Sequence, residues 1–471
     1  MYIPSFLCIS EVCSVRVLFP LKRAGSFLLL ALLALSLGLT RGLLADHAVA
    51  LPACGIWTIV RLPGNGQLLD VSTFATNNAW AVGETSARSP QALIEHWNGR
   101  SWTMVPGAIA PGVTSTVLSG VSALAANNVW AVGGGANKSG SFALIEHWNG
   151  STWTIVPAPT TPARSIPILI KVSAVTPDNI WAAGFELDTA ELQDQPLVEH
   201  WDGSQWNIVP LKALSTGNVI LTGISAISAN DVWAVGVSIS ASKPAQAVSA
   251  HWDGSSWSTS TNPTFTSTTS SALTTVATSR HGQILEVGDR FSPTTRQQTL
   301  IESPDASGQW RVVSSPSIGS GANTLSGVAI DERGQSWAVG NYMNPTTKTE
   351  QTLIEQSNDA GQWQIMLSPN TSPTDSDSLN AVSVSRGLAP TVWAVGSSTH
   401  RSNHVSSQLP LSEVYHSCAL PRAPGLAPAG RSIVHGAREP RASYGRGIGT
   451  SAHYPRRTGT SQFEQRDLPR Q

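Results

Sequence analysis

The chain has 471 residues, 41% apolar and 13% charged, with a formal net charge of −1. That length and apolar content are ample for a full core. Residues 51–420 carry 16 Lys and Arg against 25 Asp and Glu, a balance of −9 that argues against nucleic acid as the partner of this body.

The first 50 residues read as a targeting segment. Lys22-Arg23 precede a 14-residue apolar run from Ser26 to Leu39, and Ala48-Val49-Ala50 is an A-x-A-like cleavage site. A signal peptide is expected here, or an uncleaved membrane anchor, since Arg41 and further residues separate the run from the cleavage site. Either implies a secreted or extracytoplasmic protein, touching a membrane only through that anchor. Cys8 and Cys13 fall in this leader. The two remaining cysteines, Cys54 and Cys418, make one plausible structural pair, as an oxidising compartment allows.

From residue 51 a phrase recurs. Trp80-Ala81-Val82-Gly83 returns at Trp130–Gly133, Trp181–Gly184, Trp233–Gly236, Leu285–Gly288, Trp337–Gly340 and Trp393–Gly396. A period of about 50 residues marks a repeat architecture. In the second unit, Leu118–Leu124 alternates as a strand, Asn127-Asn128 turns, and Val129–Val132 is a second strand. Ala143–Trp148 is a third, Asn149-Gly150 a tight hairpin, and Trp153–Val156 a fourth, ended by Pro157 and Pro159. Four antiparallel strands per repeat make one propeller blade, and no segment carries a helical period. The expected fold is all-β: a seven-bladed β-propeller over residues 51–418, with four strands per blade.

Trp57, Trp102, Trp153, Trp206, Trp257, Trp310 and Trp363 open the fourth strands. The first of these precedes the first Trp-Ala-Val-Gly, and no fourth strand follows the last one. The N-terminal strand is therefore expected to complete the seventh blade, leaving that sheet without an open edge. In that blade the hairpin between strands three and four is cut, and its free ends carry Cys54 and Cys418. A disulfide between them would replace the covalent turn.

The periodic residues read as scaffold. All 17 tryptophans occupy three repeat positions. His96, His147, His200 and His251 each belong to a different blade, so they cannot share one metal ion. Glu95, Glu146, Glu199, Glu302, Glu355 and Glu413 are expected to hydrogen-bond backbone or adjacent blades. Function is sought where the repeat breaks. Connections between strands two and three, and between blades, vary and should share one face, the usual binding face. Acidic residues gather there: Glu186, Asp188, Glu191 and Asp194 in the third blade, Asp289 in the fifth, and Asp375 and Asp377 before the seventh. Oxygen clusters of this kind can hold Ca²⁺. In the innermost strands, Asp70 and Lys171 stand where other units carry Gly120, Gly223, Thr275, Gly327 and Ala381. No metal is assigned to any residue, and strong enzyme motifs such as G-x-S-x-G and H-E-x-x-H are absent.

Residues 419–471 change character, with nine arginines against Glu439, Glu464 and Asp467, much Gly, Pro and Ser, and no strand alternation. They read as a disordered basic tail.

The W-A-V-G / L-I-E-H-W-N-G-S-x-W-T-x-V-P unit resembles bacterial extracytoplasmic β-propeller repeats of the kelch-like or galactose-oxidase-central-domain-like kind. It differs from kelch repeats in the Gly-Gly doublet, present only at Gly133-Gly134. Ser303–Trp310 and Ser357–Trp363 resemble the Asp-box hairpin of sialidase-type propellers, with the spacing off by one residue. The resemblance implies a fold and an address and assigns no activity: neither the sialidase arginine triad and tyrosine nor copper-oxidase ligands are recognisable. The expectation is a monomeric, non-catalytic binding or scaffold propeller for a glycan, cell-wall or protein ligand. The alternative is a glycan-active hydrolase or lyase using loop carboxylates.

Overall fold

A computed structural model describes residues 55–417, except 109–110, 163, 215–216, 261, 264–267, 359, 388 and 403–404. The leader, the basic tail, Cys54 and Cys418 lie outside the described residues. The described residues form seven four-stranded antiparallel sheets. Blade one comprises Gln67–Ala75, Asn78–Glu84, Ala92–Trp97 and Trp102–Met104, and the later blades have the same order. Trp57–Ile59 is the outer strand of the seventh sheet, pairing Trp57 with Tyr415 and Ile59 with Glu413. The first strand of each blade touches those of both neighbours, with blade seven against blade one, so the ring closes. Among the described residues the only helical segment is the 3-10 turn Lys212–Leu214, and no helix is long and apolar enough to cross a membrane.

The repeated phrase specifies this geometry. Its glycine pairs with the leucine of strand one where that strand bulges, as Gly83 does with Leu68. A Cβ on Gly83 would lie 1.9 Å from the carbonyl oxygen of Gln67, and the other six phrase glycines are as crowded. Only glycine allows that backbone approach. The bulge sits just before the position of Asp70 and Lys171, where an extra residue re-aims the next side chain.

The phrase tryptophan packs forward into the next blade. Trp80 lies 5.0 Å from Trp148 and 5.4 Å from Trp153; Trp130 meets Trp201 and Trp206 in the same way. Trp393 of blade seven meets Trp97 and Trp102 of blade one at 4.9 Å, so closure uses the same contact as the seams that follow blades one and two. Nearer the axis, strand-one serines staple neighbours together. Ser383, Ser72, Ser122 and Ser173 each accept the backbone N–H of Thr73, Ala123, Ala174 and Ala226 in the next blade.

The two faces differ. Strand-three tryptophans donate to the turns between strands one and two, as Trp148 Nε1 does to the Ala126 carbonyl, which ties the short turns into one face. On the other face, connections between strands two and three touch the start of the next blade, as when Thr116 N–H donates to Pro90 and Ser271 N–H to Ala245. In blades two, three, five and seven these connections are extended hairpins, paired out to Asn137–Gly140, Asp188–Gln193, Ser292–Arg296 and Ser402–Val405.

Candidate functional site

Of the residues singled out by the broken repeat, the structure brings Asp70 and Lys171 together. Lys171 Nζ donates to Asp70 Oδ1 at 2.6 Å, although the side chains come from blades one and three. Blade two lies between them and offers Gly120, whose missing side chain leaves room. Asp70 Oδ2 also accepts the Val121 N–H at 2.9 Å. The pair borders an axial cavity of about 250 Å³ to which all seven blades contribute. Its lining continues to Thr278, Ala329 and Val384, at the ends of the inner strands that lead into the short-turn face.

The acidic residues of the variable face do not converge. Glu186 and Asp188 lie on strand two of blade three opposite Gln195 and Gln193, whereas Asp194 opposes Leu187. Strand alternation therefore sends Asp194 to the other side of the sheet. Asp188 Oδ1 is taken by the N–H groups of Ala190 and Glu191, shaping the turn that carries Glu191. Asp289 is buried in strand two of blade five, accepts from Gln297 Nε2 at 3.0 Å, and is pushed up to a pKa of about 6 by burial. Asp377 is fully buried and accepts both the N–H and the hydroxyl of Thr371. Asp375 pairs with His400 Nδ1 at 2.7 Å on the exposed side. Among the described residues no three His, Cys, Asp or Glu side chains are grouped to hold a metal ion.

The periodic glutamates latch neighbouring blades. Glu95 accepts the N–H of Gly64, and Glu146 that of Ala108, each from the segment arriving from the preceding blade's outer strand. Glu355 and Glu413 accept from Ser315 and Ser368 in equivalent segments. Burial raises the pKa to about 7 for Glu95, Glu146, Glu302 and Glu355, and to about 8 for Glu199 and Glu413. Glu199 has no hydrogen-bond partner on either oxygen among the described residues. Pro159 stands six residues after Trp153, as Ala108 does after Trp102, and proline has no N–H to give.

The histidines are scaffold as well. His147 Nε2 and Trp130 Nε1 share Asn128 Oδ1 at 3.0 Å, and His200 and Trp181 share Asn179 likewise. Burial lowers the pKa of both imidazoles. The two Asp-box-like turns work as the others do. Asp305 and Asn358 accept backbone N–H groups two and four residues on, where Asn149 and Asp202 accept from two and three. The extra residue lengthens the turn and leaves its role unchanged.

Sequence reasoning missed the partner of one irregularity. Glu286 replaces the phrase alanine in blade five, and Ser249 replaces the strand-three isoleucine of blade four. Across the seam Ser249 Oγ donates to Glu286 Oε1 at 2.5 Å, and Asn262 Nδ2 bridges Glu286 and Glu302. Burial, with Glu302 nearby, lifts Glu286 to about 8. The signal was present as two departures from the repeat on strands that face each other.

No family model matches the chain, and no curated protein matches it. Among solved structures, it is similar to a protein of unknown function from Dyadobacter fermentans (7% identity, TM-score 0.43, 77% of this chain and 99% of that one). It is also similar to the six-bladed, fucose-recognising lectin of Aleuria aurantia (12%, 0.37, 78% and 100%). A third is Chaetomium thermophilum Sqt1 bound to the N-terminus of ribosomal protein L10 (9%, 0.43, 76% and 98%). The blade count here, seven, rests on this chain's own sheets.

Proposed function

We propose that this chain is an extracytoplasmic, monomeric, non-catalytic binding propeller that presents its variable face to a glycan, cell-wall or protein ligand. The observation that supports it is the asymmetry of the ring. One face is built from short turns held by repeated hydrogen bonds, while the other carries hairpins of unequal reach, from Glu84–Ala92 in blade one to Ser402–Val405 in blade seven. A fold that needs identical blades gains nothing from such unequal extensions, so their shape answers to something outside the scaffold. The alternative, hydrolysis by loop carboxylates, requires two carboxyl groups facing one substrate across about 5–10 Å. Asp289 and Asp377 are buried in hydrogen bonds of their own, and Asp194 faces away from Glu186 and Asp188. The address rests on the leader's Lys22-Arg23, apolar run and Ala48-Val49-Ala50, and on the kelch-like character of the repeat.

The test is a binding screen of the purified protein on glycan, cell-wall and protein arrays, with and without Ca²⁺, beside a panel of glycosidase substrates. Retention of one ligand class without turnover is expected. Robust turnover of a glycoside would overturn the reading.

A further inference from the structure

The position of Asp70 and Lys171 is one the fold fills with small residues. A Cβ on Gly120 would lie 2.8 Å from the Ile170 carbonyl, and on Gly327 2.9 Å from Ala381 Cα. Blade seven carries Ala381 there. A mostly buried ion pair stabilises a fold no better than small apolar residues in its place, so packing does not account for this one. The pair is 16% and 11% exposed at its side chains, and the exposed part faces the axial cavity. Lys171 has three N–H donors, and its bond to Asp70 is the only one it makes among the described residues. Each Asp70 oxygen holds one donor and has a second lone pair. A donor group and an acceptor group 2.6 Å apart at a cavity wall match two adjacent hydroxyls, one accepting from the ammonium and one donating to the carboxylate.

The rest of the cavity fits the same chemistry. Its wall is predominantly polar, with Ser225, Thr275 and Thr278 adding hydroxyls. The volume equals about eight waters at roughly 30 Å³ each, room for one sugar ring. An anion is disfavoured, because the pair is neutral as a unit and the surrounding body carries −9.

We propose that this axial cavity binds a single polyol of monosaccharide size through a vicinal diol, held between Lys171 Nζ and the Asp70 carboxylate. The site is reached from the short-turn face, so it is separate from the variable face and stands or falls without it. The test uses the full-length protein with D-glucose, D-galactose, D-mannose, L-fucose and myo-inositol as probes, read by saturation-transfer NMR and calorimetry. The decisive variant is D70A/K171A, which puts at both positions the residue blade seven already has. Saturable binding of at least one probe, weakened tenfold or more in D70A/K171A while its thermal midpoint stays close to wild type, is expected. Binding by none of the probes overturns the proposal, as does equal binding by wild type and variant. Lys171-dependent binding of acetate or inorganic phosphate in place of the polyols also overturns it.

Discussion

Lys171 reaches Asp70 across 101 residues of sequence and one intervening blade, and it does so because blade two offers glycine at position 120. The stability consequence separates single from double replacement. K171A leaves the Asp70 carboxylate largely buried with only the Val121 N–H, and a cost of roughly 1–3 kcal/mol is expected, below the 3–5 of a fully buried pair because some exposure remains. D70A/K171A removes both charges and should unfold within about 1 kcal/mol of wild type. Urea midpoints measure this; a double variant as weak as K171A would contradict it.

The glutamate latches set the pH dependence. Folded-state values of about 7–8, against 4.5 ordinarily, mean that the folded chain keeps protons the unfolded chain has lost. Stability from these groups is complete below pH 4.5 and is lost as pH rises through 7–8. The half-buried histidines His96, His147 and His200 act oppositely, but only below their ordinary 6.5. Between pH 6.5 and 8, therefore, the thermal midpoint should fall. E199Q should raise the midpoint at pH 8 and flatten the fall, since both oxygens of Glu199 lack partners. Scanning calorimetry at half-unit steps decides; a midpoint rising from pH 6.5 to 8 would contradict the account.

Ser249 and Glu286 should be energetically coupled. Restoring the repeat at one site alone, by S249I or E286A, leaves the other's polar group without its partner across the blade-four/blade-five seam. Each single change is expected to destabilise, and the double S249I/E286A to recover part of the loss. The coupling energy should lie in the range of about 0.5–3 kcal/mol found for contacting pairs. Additive effects would show that the two departures are unrelated.

Gly55 N–H donates to the His416 carbonyl at 2.9 Å, so the residues flanking Cys54 and Cys418 are partners across the closing blade. We predict a Cys54–Cys418 disulfide when the protein is made in an oxidising compartment. Closing so long a loop would add about 4–5 kcal/mol in the chain-entropy model. Non-reducing peptide mapping should recover the linked pair, and reduction should lower the thermal midpoint. Free alkylation of both thiols in the native protein would refute it.

The ring was legible in the sequence because each blade repeats the same solution. The phrase glycine marks the bulge, its tryptophan marks the seam, and the offset of Trp57 from Trp80 marks the closure. The scaffold role of the histidines and glutamates came from the same period. The candidate site was legible only as a set of exceptions. Asp70 and Lys171 read as two unrelated irregularities, since nothing local says that they meet past Gly120. Asp289 and Asp377 read as exposed loop acids because their burial depends on Gln297 and Thr371, which carry no periodic signal. Glu286 was legible as a departure from the phrase, but its pairing with Ser249 was not, because the two meet only when strands of neighbouring blades face each other.

The central claim, that the unequal hairpins of one face hold the ligand, is tested by trimming them. Residues 185–196 of blade three and 397–410 of blade seven, which run between the paired Gly184 and Leu197 and the paired Gly396 and Leu411, would each be replaced by the shorter connection of blade one, residues 84–92. Binding to the ligand found in the array screen would then be measured against wild type by calorimetry. At least tenfold weaker binding, with the propeller still folded, is predicted. Unchanged affinity in both trimmed proteins would contradict the claim.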